Sequence, residues 1–150
     1  MKEDIDRYYP KLVAAGYERT SDETPVYNCI AWAAGDTSRW WECDEDGPLD
    51  RPGVYWPPDA KHGFGLDALV SAYETLGFKV CETSGPEEGY EKVALFRDGN
   101  EWRHAAKLLN DGKWSSKLGD LEDISHFLPE DVEGDYNGIL DCYMRRPIPS

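Results

Sequence analysis

The sequence predicts one α+β domain, with N-terminal helices packed on an antiparallel sheet of about five strands. The chain has 150 residues, a usual size for a single domain. Apolar side chains recur at helical spacing in the first half and at strand spacing in the second half. Helices followed by strands are typical of α+β proteins. Hydrophobic residues make up 40% of the chain, which is enough for one hydrophobic core. We therefore expect residues 1–150 to form a single domain.

Three segments have a helical pattern, and a glycine ends each of them. They are residues 4–15, 26–35 and 66–76. Glycine is the residue that most often ends a helix, because it adopts the left-handed conformation without strain. Pro10 falls inside the first segment, where a proline is tolerated only near a first turn or as a break. We therefore expect three helices, and in the first of them this proline marks either the first turn or a break.

Residues 36–64 form a long turn-rich segment that carries several aromatic rings. Long ordered loops often border binding sites. Trp40, Trp41 and Trp56 can therefore line a substrate groove, or they can anchor the loop in the core, which is the more common use of such rings. The sequence leaves both alternatives open.

The apolar pattern changes to that of strands after residue 77. A polar stretch, residues 120–137, links the last two predicted strands. The five strands are predicted over residues 78–82, 92–98, 102–109, 113–119 and 138–146.

A hairpin is predicted between the third and fourth strands, because Asp111-Gly112 is a strong turn signal. The loop length decides which side chains share a face of the sheet. A two-residue turn places Lys117 on the face of His104, whereas a change of one residue in loop length places Ser116 there instead. One sequence does not fix this register.

The charge of the chain restricts its partners. The formal net charge is −14, so the surface repels phosphate backbones and anionic headgroups. We expect no binding to nucleic acid or to membranes, and a basic protein is the partner that such a surface favours. No run of about 18 apolar residues is present, and the first residues carry acids where a signal peptide carries bases. These features predict a cytoplasmic protein.

The four cysteines are predicted to be free thiols rather than disulfides or metal ligands. Their spacing contains no C-x-x-C pair, and no histidine lies at metal-ligand spacing from any of them. In a reducing compartment thiols stay reduced. No cofactor and no metal site is predicted. The cysteines are Cys29, Cys43, Cys81 and Cys142.

Cys29 is the candidate nucleophile. It lies near the start of an apolar helix, where free N–H groups and a partial positive charge favour the thiolate and can bind an oxyanion. We therefore expect its pKa to fall below the ordinary value. The alternative is a small buried hydrophobe, because free cysteine is among the residues most often buried.

His104 is the candidate general base, because it opens a predicted strand and is followed by two alanines that allow close packing. We expect one of its ring nitrogens to contact the sulfur of Cys29. A base needs an orienting group, and the candidates for that role are Asp120 and, behind it, Ser116. His126 is a further candidate, although a histidine in an acidic loop is more often a surface residue.

Four short motifs resemble the papain-like superfamily, and its compact NlpC/P60-like branch most of all. They are Asn28-Cys29-Ile30-Ala31-Trp32, His104-Ala105-Ala106, the turn from Asn110 to Trp114, and Ser115-Ser116-Lys117-Leu118-Gly119. In that branch a cysteine heads a helix packed on an antiparallel sheet, a histidine opens a strand and a third polar residue stands on the next strand. The resemblance implies hydrolysis of an amide or thioester through an acyl-cysteine intermediate, with Ser116 in the third position.

Two functions are consistent with these observations. The first is a cysteine hydrolase or acyltransferase that acts on a peptide or amide substrate through Cys29 and His104. The second is a non-catalytic acidic binding module on the same fold, which neutralises a basic partner as an immunity protein does with a toxin. A fast-reacting thiol at Cys29 favours the first, and four ordinary thiols favour the second.

Overall fold

The computed structural model describes residues 2–148 and has the predicted α+β architecture. A single large sheet dominates it, and every neighbouring pair of strands in that sheet is antiparallel. No described helix is long and apolar enough to cross a membrane. The helices are α1 (Lys2–Tyr8), α2 (Pro10–Ala15), α3 (Cys29–Ala34) and α4 (Leu66–Glu74), with a 3-10 helix over Pro129–Val132.

The large sheet has seven strands, so the expected number of about five was too low. Their order across the sheet is β1-β10-β9-β8-β7-β11-β6. The strands are β1 (Tyr17–Arg19), β2 (Trp40–Trp41), β3 (Cys43–Asp44), β4 (Gly47–Pro48), β5 (Val54–Tyr55), β6 (Lys79–Cys81), β7 (Tyr90–Asp98), β8 (Glu101–Leu108), β9 (Trp114–Lys117), β10 (Asp123–His126) and β11 (Ile139–Pro147). Strands β2 to β5 form two small sheets within the turn-rich segment 36–64.

Within the large sheet, the two strands that the sequence did not predict are β1 and β10; the short strands β2 to β5 were not predicted either. Strand β10 was predicted as part of a polar link, because its sequence Asp-Ile-Ser-His has one apolar residue. All four of its residues are nevertheless buried. Asp123 Oδ2 accepts from the Tyr27 hydroxyl and His126 Nε2 is hydrogen-bonded to Ser116, whereas Asp123 Oδ1 has no partner among the described residues. Hydrophobic alternation does not detect a strand of this kind. Strand β1 has only three residues and lies at the edge of the sheet.

Helices cover both faces of the large sheet. As predicted, the helices within residues 26–35 and 66–76 pack on one face, and the first predicted helix covers the other as α1 and α2, broken before Pro10. Because side chains alternate along a strand, β7 and β8 contribute to both cores. The α3–α4 side contains Val93, Leu95, Ala105 and Met144, and the α1–α2 side contains Ala94, Phe96, Ala106 and Ile124.

The hairpin of β8 and β9 adopts the longer-loop register. Lys107 faces Ser115 and Leu108 faces Trp114, and the Leu109 N–H donates to the Lys113 carbonyl at 2.8 Å. Three residues, 110–112, therefore form the turn, and the register based on a two-residue turn was wrong. This shift brings the Ser116 side chain onto the face where His104 lies.

Candidate active site

Asn28 fixes the start of α3 and thereby the position of Cys29. Its Oδ1 accepts hydrogen bonds from the backbone N–H groups of Ala31 and Trp41, both at 3.1 Å. Its Nδ2 donates to the Trp41 carbonyl at 2.8 Å. Asparagine is a preferred residue at this position because its side chain satisfies free N–H groups of the first turn. Cys29 is the first residue of the helix, as the sequence predicted.

The sulfur of Cys29 lies against the backbone of β8. The thiol donates to the Arg103 carbonyl oxygen at 4.0 Å, and the backbone N–H of Ala105 lies close enough to lower the pKa of the thiol. Strand β9 pairs with β8 at Lys107 and Leu108 but not at Arg103 or Ala105, so the edge of β8 that is turned away from β7 is open at these two residues. Cys29 therefore contacts the peptide groups on both sides of His104, at the point where β8 and β9 separate.

The pKa of Cys29 is raised to about 11, which overturns the expected decrease. Burial is the largest cause, because a thiolate in a dry environment loses its hydration. The N–H groups of Ala105 and Ile30 and the charge of Lys117 lower the pKa in part. Only 7% of Cys29 is exposed, so desolvation outweighs the start of a six-residue helix. At neutral pH the residue is a neutral thiol.

His104 lies on the face of the sheet that α1 and α2 cover. A bulge in β8 is the cause, because Phe96 faces His104 and Arg97 faces Trp102, which leaves Arg103 without a partner on β7. His104 packs edge-on against Phe96, with 5.1 Å between ring centroids. It is fully buried, and its Nδ1 has no hydrogen-bond partner. The expected contact with the sulfur of Cys29 is therefore not formed as a hydrogen bond.

Three buried side chains form a hydrogen-bonded chain on this face. His104 Nε2 lies 3.0 Å from Ser116 Oγ, and Ser116 Oγ lies 2.8 Å from His126 Nε2. His126 Nδ1 lies 2.8 Å from the carbonyl oxygen of Leu128. The three side chains come from β8, β9 and β10, which are adjacent in the sheet.

The carbonyl of Leu128 determines where the protons of this chain lie. A carbonyl only accepts, so His126 Nδ1 carries a hydrogen and its Nε2 carries a lone pair when the ring is neutral. Ser116 must then donate to His126 Nε2 and accept from His104 Nε2–H. One hydrogen remains on the His104 ring, at Nε2, which leaves a lone pair on Nδ1. His104 Nδ1 is thus arranged as a proton acceptor.

Both histidines are held neutral. Burial, and secondly the nearby His126, lower the pKa of His104 to about 3. Burial also lowers the pKa of His126, although the Leu128 carbonyl and Asp131 oppose this effect. Neutral rings at physiological pH agree with the proton positions deduced from the hydrogen bonds.

The structure distinguishes between the two candidates for the residue that orients His104. Ser116 contacts His104 directly, at the third-residue position that the resemblance implied. Asp120 does not orient His104, since within residues 2–148 Ser116 is the hydrogen-bond partner of that ring and its Nδ1 has none. Asp120 is an exposed residue of the cleft described below. The surface position expected for His126 was wrong, because it is 1% exposed. A prediction of β10 as a strand paired with β9 would have placed His126 close to Ser116.

A cleft of about 700 Å³ opens beside Cys29. It lies where the start of α3, the start of β8 and residues 118–121 meet, with α1 and residues 136–137 on the far side. Both interpretations of the loop tryptophans hold in part, because Trp40 lines the cleft whereas Trp41 and Trp56 are buried. Within residues 2–148, no group of three or more metal-ligating side chains is arranged to hold a metal ion. The rings of the cleft are Tyr8, Tyr9, Trp40, Phe64, Trp102 and Tyr136.

Residues 18–145 match the model of a family described as a domain of unknown function, DUF7689. The chain belongs to this family. The matched region of the DUF7689 domain includes α3 and strands β8 to β10, so Cys29, His104, Ser116 and His126 all lie within it. No curated protein and no solved structure matches the chain. The function of this DUF7689 domain must therefore be argued from its geometry.

Proposed function

We propose that the chain is a cysteine hydrolase or acyltransferase, in which Cys29 attacks an amide or thioester carbonyl and His104 accepts the thiol proton. One observation carries the proposal. The hydrogen bonds from the Leu128 carbonyl through His126 and Ser116 leave His104 Nδ1 as a buried lone pair without a partner. A neutral imidazole that is held at one nitrogen and free at the other has the hydrogen-bonding form of a general base, and its pKa of about 3 makes it a weaker base than imidazole in water.

The neutral thiol explains why a base is needed. With a pKa of about 11, Cys29 has almost no thiolate at neutral pH. Its proton must leave as the sulfur attacks. In the first step the sulfur–carbon bond forms, the proton moves to His104 Nδ1, and the carbon–nitrogen or carbon–sulfur bond of the substrate breaks as the leaving group takes that proton. In the second step water, or an acceptor amine, attacks the acyl carbon, the carbon–sulfur bond breaks, and the proton of the attacking group passes through His104 Nδ1 to the sulfur of Cys29.

Proton transfer requires the thiol to leave its resting contacts. The sulfur lies against the peptide groups of Arg103 and Ala105, on both sides of the base. Because Cys29 packs with the core on the α3 side and His104 lies on the opposite face, we infer that the cysteine side chain rotates towards His104 at the point where β8 and β9 separate. Hydrogen bonds of a catalytic site are often long before substrate binds.

A relationship to the papain-like superfamily, and to its NlpC/P60-like branch, is part of this proposal. A cysteine that heads a helix on an antiparallel sheet supports it, as does a histidine whose neighbour on the next strand is polar. A cytoplasmic location is a further proposal, supported by the four free cysteines. The charge of −14 supports the absence of binding to nucleic acid and membranes.

The experiment is a burst measurement with p-nitrophenyl acetate, an activated ester that needs little substrate binding. We expect about one p-nitrophenolate per chain in a fast phase, with the acetyl group found on Cys29 by peptide mass spectrometry. Cys29→Ala should lose the fast phase. The matched control is Cys81→Ala, which removes a half-buried free thiol outside the cleft and should keep it. A fast phase that survives Cys29→Ala would refute the proposal.

The non-catalytic binding module is the second candidate, and the burial of Cys29 favours it. A nucleophile must reach its substrate, whereas this sulfur lies among packed side chains and has a raised pKa. If the chain only binds, all four thiols should acetylate slowly and independently of His104. The same burst measurement therefore separates the two candidates.

A further inference from the structure

We propose that the cleft beside Cys29 binds a lysine or arginine side chain of a peptide. That this peptide is a substrate rests on the proposed function, whereas the binding itself does not. The cleft has a volume of about 700 Å³, and Cys29 lies in its wall. Its lining combines aromatic rings with carboxylates, and each group favours a cation for a different physical reason.

Three tyrosines form an aromatic wall on the α1 side of the cleft. The rings of Tyr8 and Tyr136 meet edge to face, with centroids 5.2 Å apart, and Tyr9 lies 6.0 Å from Tyr136. Tyr8 is 38% exposed and Tyr136 is 54% exposed. The exposed parts of these rings are in contact with water until a ligand covers them. The face of an aromatic ring is electron-rich and attracts an ammonium or guanidinium group.

Among the described residues, carboxylates of four residues line the same cleft, together with one cationic side chain, Arg103. Of these carboxylates, Glu42 also has the Arg51 guanidinium 4.0 Å away. The Arg103 guanidinium lies 3.9 Å from both Asp98 and Glu101. It is therefore already placed next to acidic partners, and it does not turn the cleft into an anion site. The carboxylates are those of Asp4, Glu42, Glu101 and Asp120.

Charge complementarity selects the ligand. An anionic segment entering the cleft meets several negative charges, and a neutral segment gains only apolar contact. A cation gains both the attraction of the carboxylates and that of the rings. The net charge of −14 adds a long-range attraction for basic molecules and speeds their encounter with the chain.

The size of the cleft indicates a peptide rather than a free amine. A volume of about 700 Å³ is within the range of sites that hold drug-sized ligands, and it exceeds what one ammonium group fills. Cys29 and the tyrosine wall line the same cavity. A basic side chain held by Tyr136 and Asp120 thus brings its own or a neighbouring carbonyl towards Cys29.

The test is calorimetric binding of octapeptides to the Cys29→Ala protein at low ionic strength. The peptides are acetylated and amidated, and they differ only at two central positions, which hold lysine, acetyl-lysine or glutamate. We expect the lysine peptide to bind at least about tenfold more tightly than the acetyl-lysine peptide. We expect the glutamate peptide not to bind. Equal affinity for the first two peptides would overturn the proposal.

Variants of the cleft locate the site. Asp120→Asn and Tyr136→Leu should each weaken binding of the lysine peptide, whereas Tyr136→Phe should keep it. The matched control for charge is Glu82→Gln, an exposed carboxylate next to β6 at the far edge of the sheet. If that control weakens binding as much as Asp120→Asn, the attraction belongs to the whole surface and the cleft proposal is wrong.

Failure of this proposal is distinguishable from failure of the proposed function. Binding is measured in a protein without the nucleophile, so it is independent of any reaction. Acetylation of Cys29 by p-nitrophenyl acetate is measured with a reagent that has no cation. Each result therefore stands without the other.

Discussion

The hydroxyl oxygen of Ser116 lies 3.0 Å from Nε2 of His104, between neighbouring strands of the sheet. The same hydroxyl lies 2.8 Å from His126 Nε2, so one serine satisfies two buried imidazoles. The sheet alone does not require this arrangement. The arrangement depends on the three-residue turn after β8, which sets the register of Ser116. It also depends on the bulge at Arg103, which determines the face on which His104 lies.

Ser116→Ala should destabilise the protein, because it leaves a buried donor on His104 and a buried acceptor on His126 without partners. The expected loss in the free energy of unfolding is about 1–3 kcal/mol, measured by denaturant titration. The control is Ser38→Ala, which removes a surface hydroxyl hydrogen-bonded to Asp36 and should cost less than about 0.5 kcal/mol. Equal losses in the two variants would mean that the chain of hydrogen bonds contributes nothing to stability.

Stability should fall as the pH is lowered below the ordinary pKa of histidine. The pKa of His104 is about 3 in the folded protein, against an ordinary value of 6.5. Between these values the unfolded histidine binds a proton and the folded one does not, so protons favour the unfolded state. At about pH 5 this residue alone should cost about 2 kcal/mol relative to neutral pH.

His104→Gln isolates this contribution from that of the carboxylates. Glutamine can still donate a hydrogen bond to Ser116, but it does not titrate. The variant should therefore lose less stability than the parent between about pH 7 and pH 5, in unfolding curves measured at both values. Identical losses would show that His104 titrates normally in the folded protein.

Gly138→Ala should be strongly destabilising, and Gly99→Ala is its matched control. Both glycines have a positive φ, of 72° and 60°. A Cβ at Gly138 would overlap the Arg97 carbonyl oxygen, whereas nothing lies within 4 Å of a Cβ at Gly99. We expect about 1 kcal/mol for the control from its φ alone and a larger loss in the free energy of unfolding for Gly138. Equal losses would mean that the turn before β11 adapts without cost.

Local patterns of the sequence predicted the elements that hold Cys29 and His104. The apolar helix that ends at Gly35 was predicted, as was the hairpin around Asp111-Gly112. These features follow from local propensity and turn chemistry, which act over a few residues. The same is true of the position of Cys29 at the start of α3.

The face and the environment of each side chain could not be predicted. The bulge at Arg103 places His104 on the face opposite α3, and no residue type in that strand predicts a bulge. The pKa of Cys29 depends on how deeply the helix start is buried, and only tertiary packing decides that. His126 was undervalued because β10 is buried through hydrogen bonds rather than through apolar side chains.

The most direct measurement is the rate at which p-nitrophenyl acetate acetylates Cys29 in the parent protein and in His104→Ala, followed by mass spectrometry from about pH 5 to pH 8. Because the pKa of His104 is about 3, the parent rate should show no inflection near the ordinary histidine pKa. His104→Ala should lower it at least about 100-fold, while Cys81 and Cys142 react unchanged. His104→Gln should behave likewise, and circular dichroism confirms that each variant is folded. A Cys29 rate that is the same in all three proteins would contradict the role of His104 as the base.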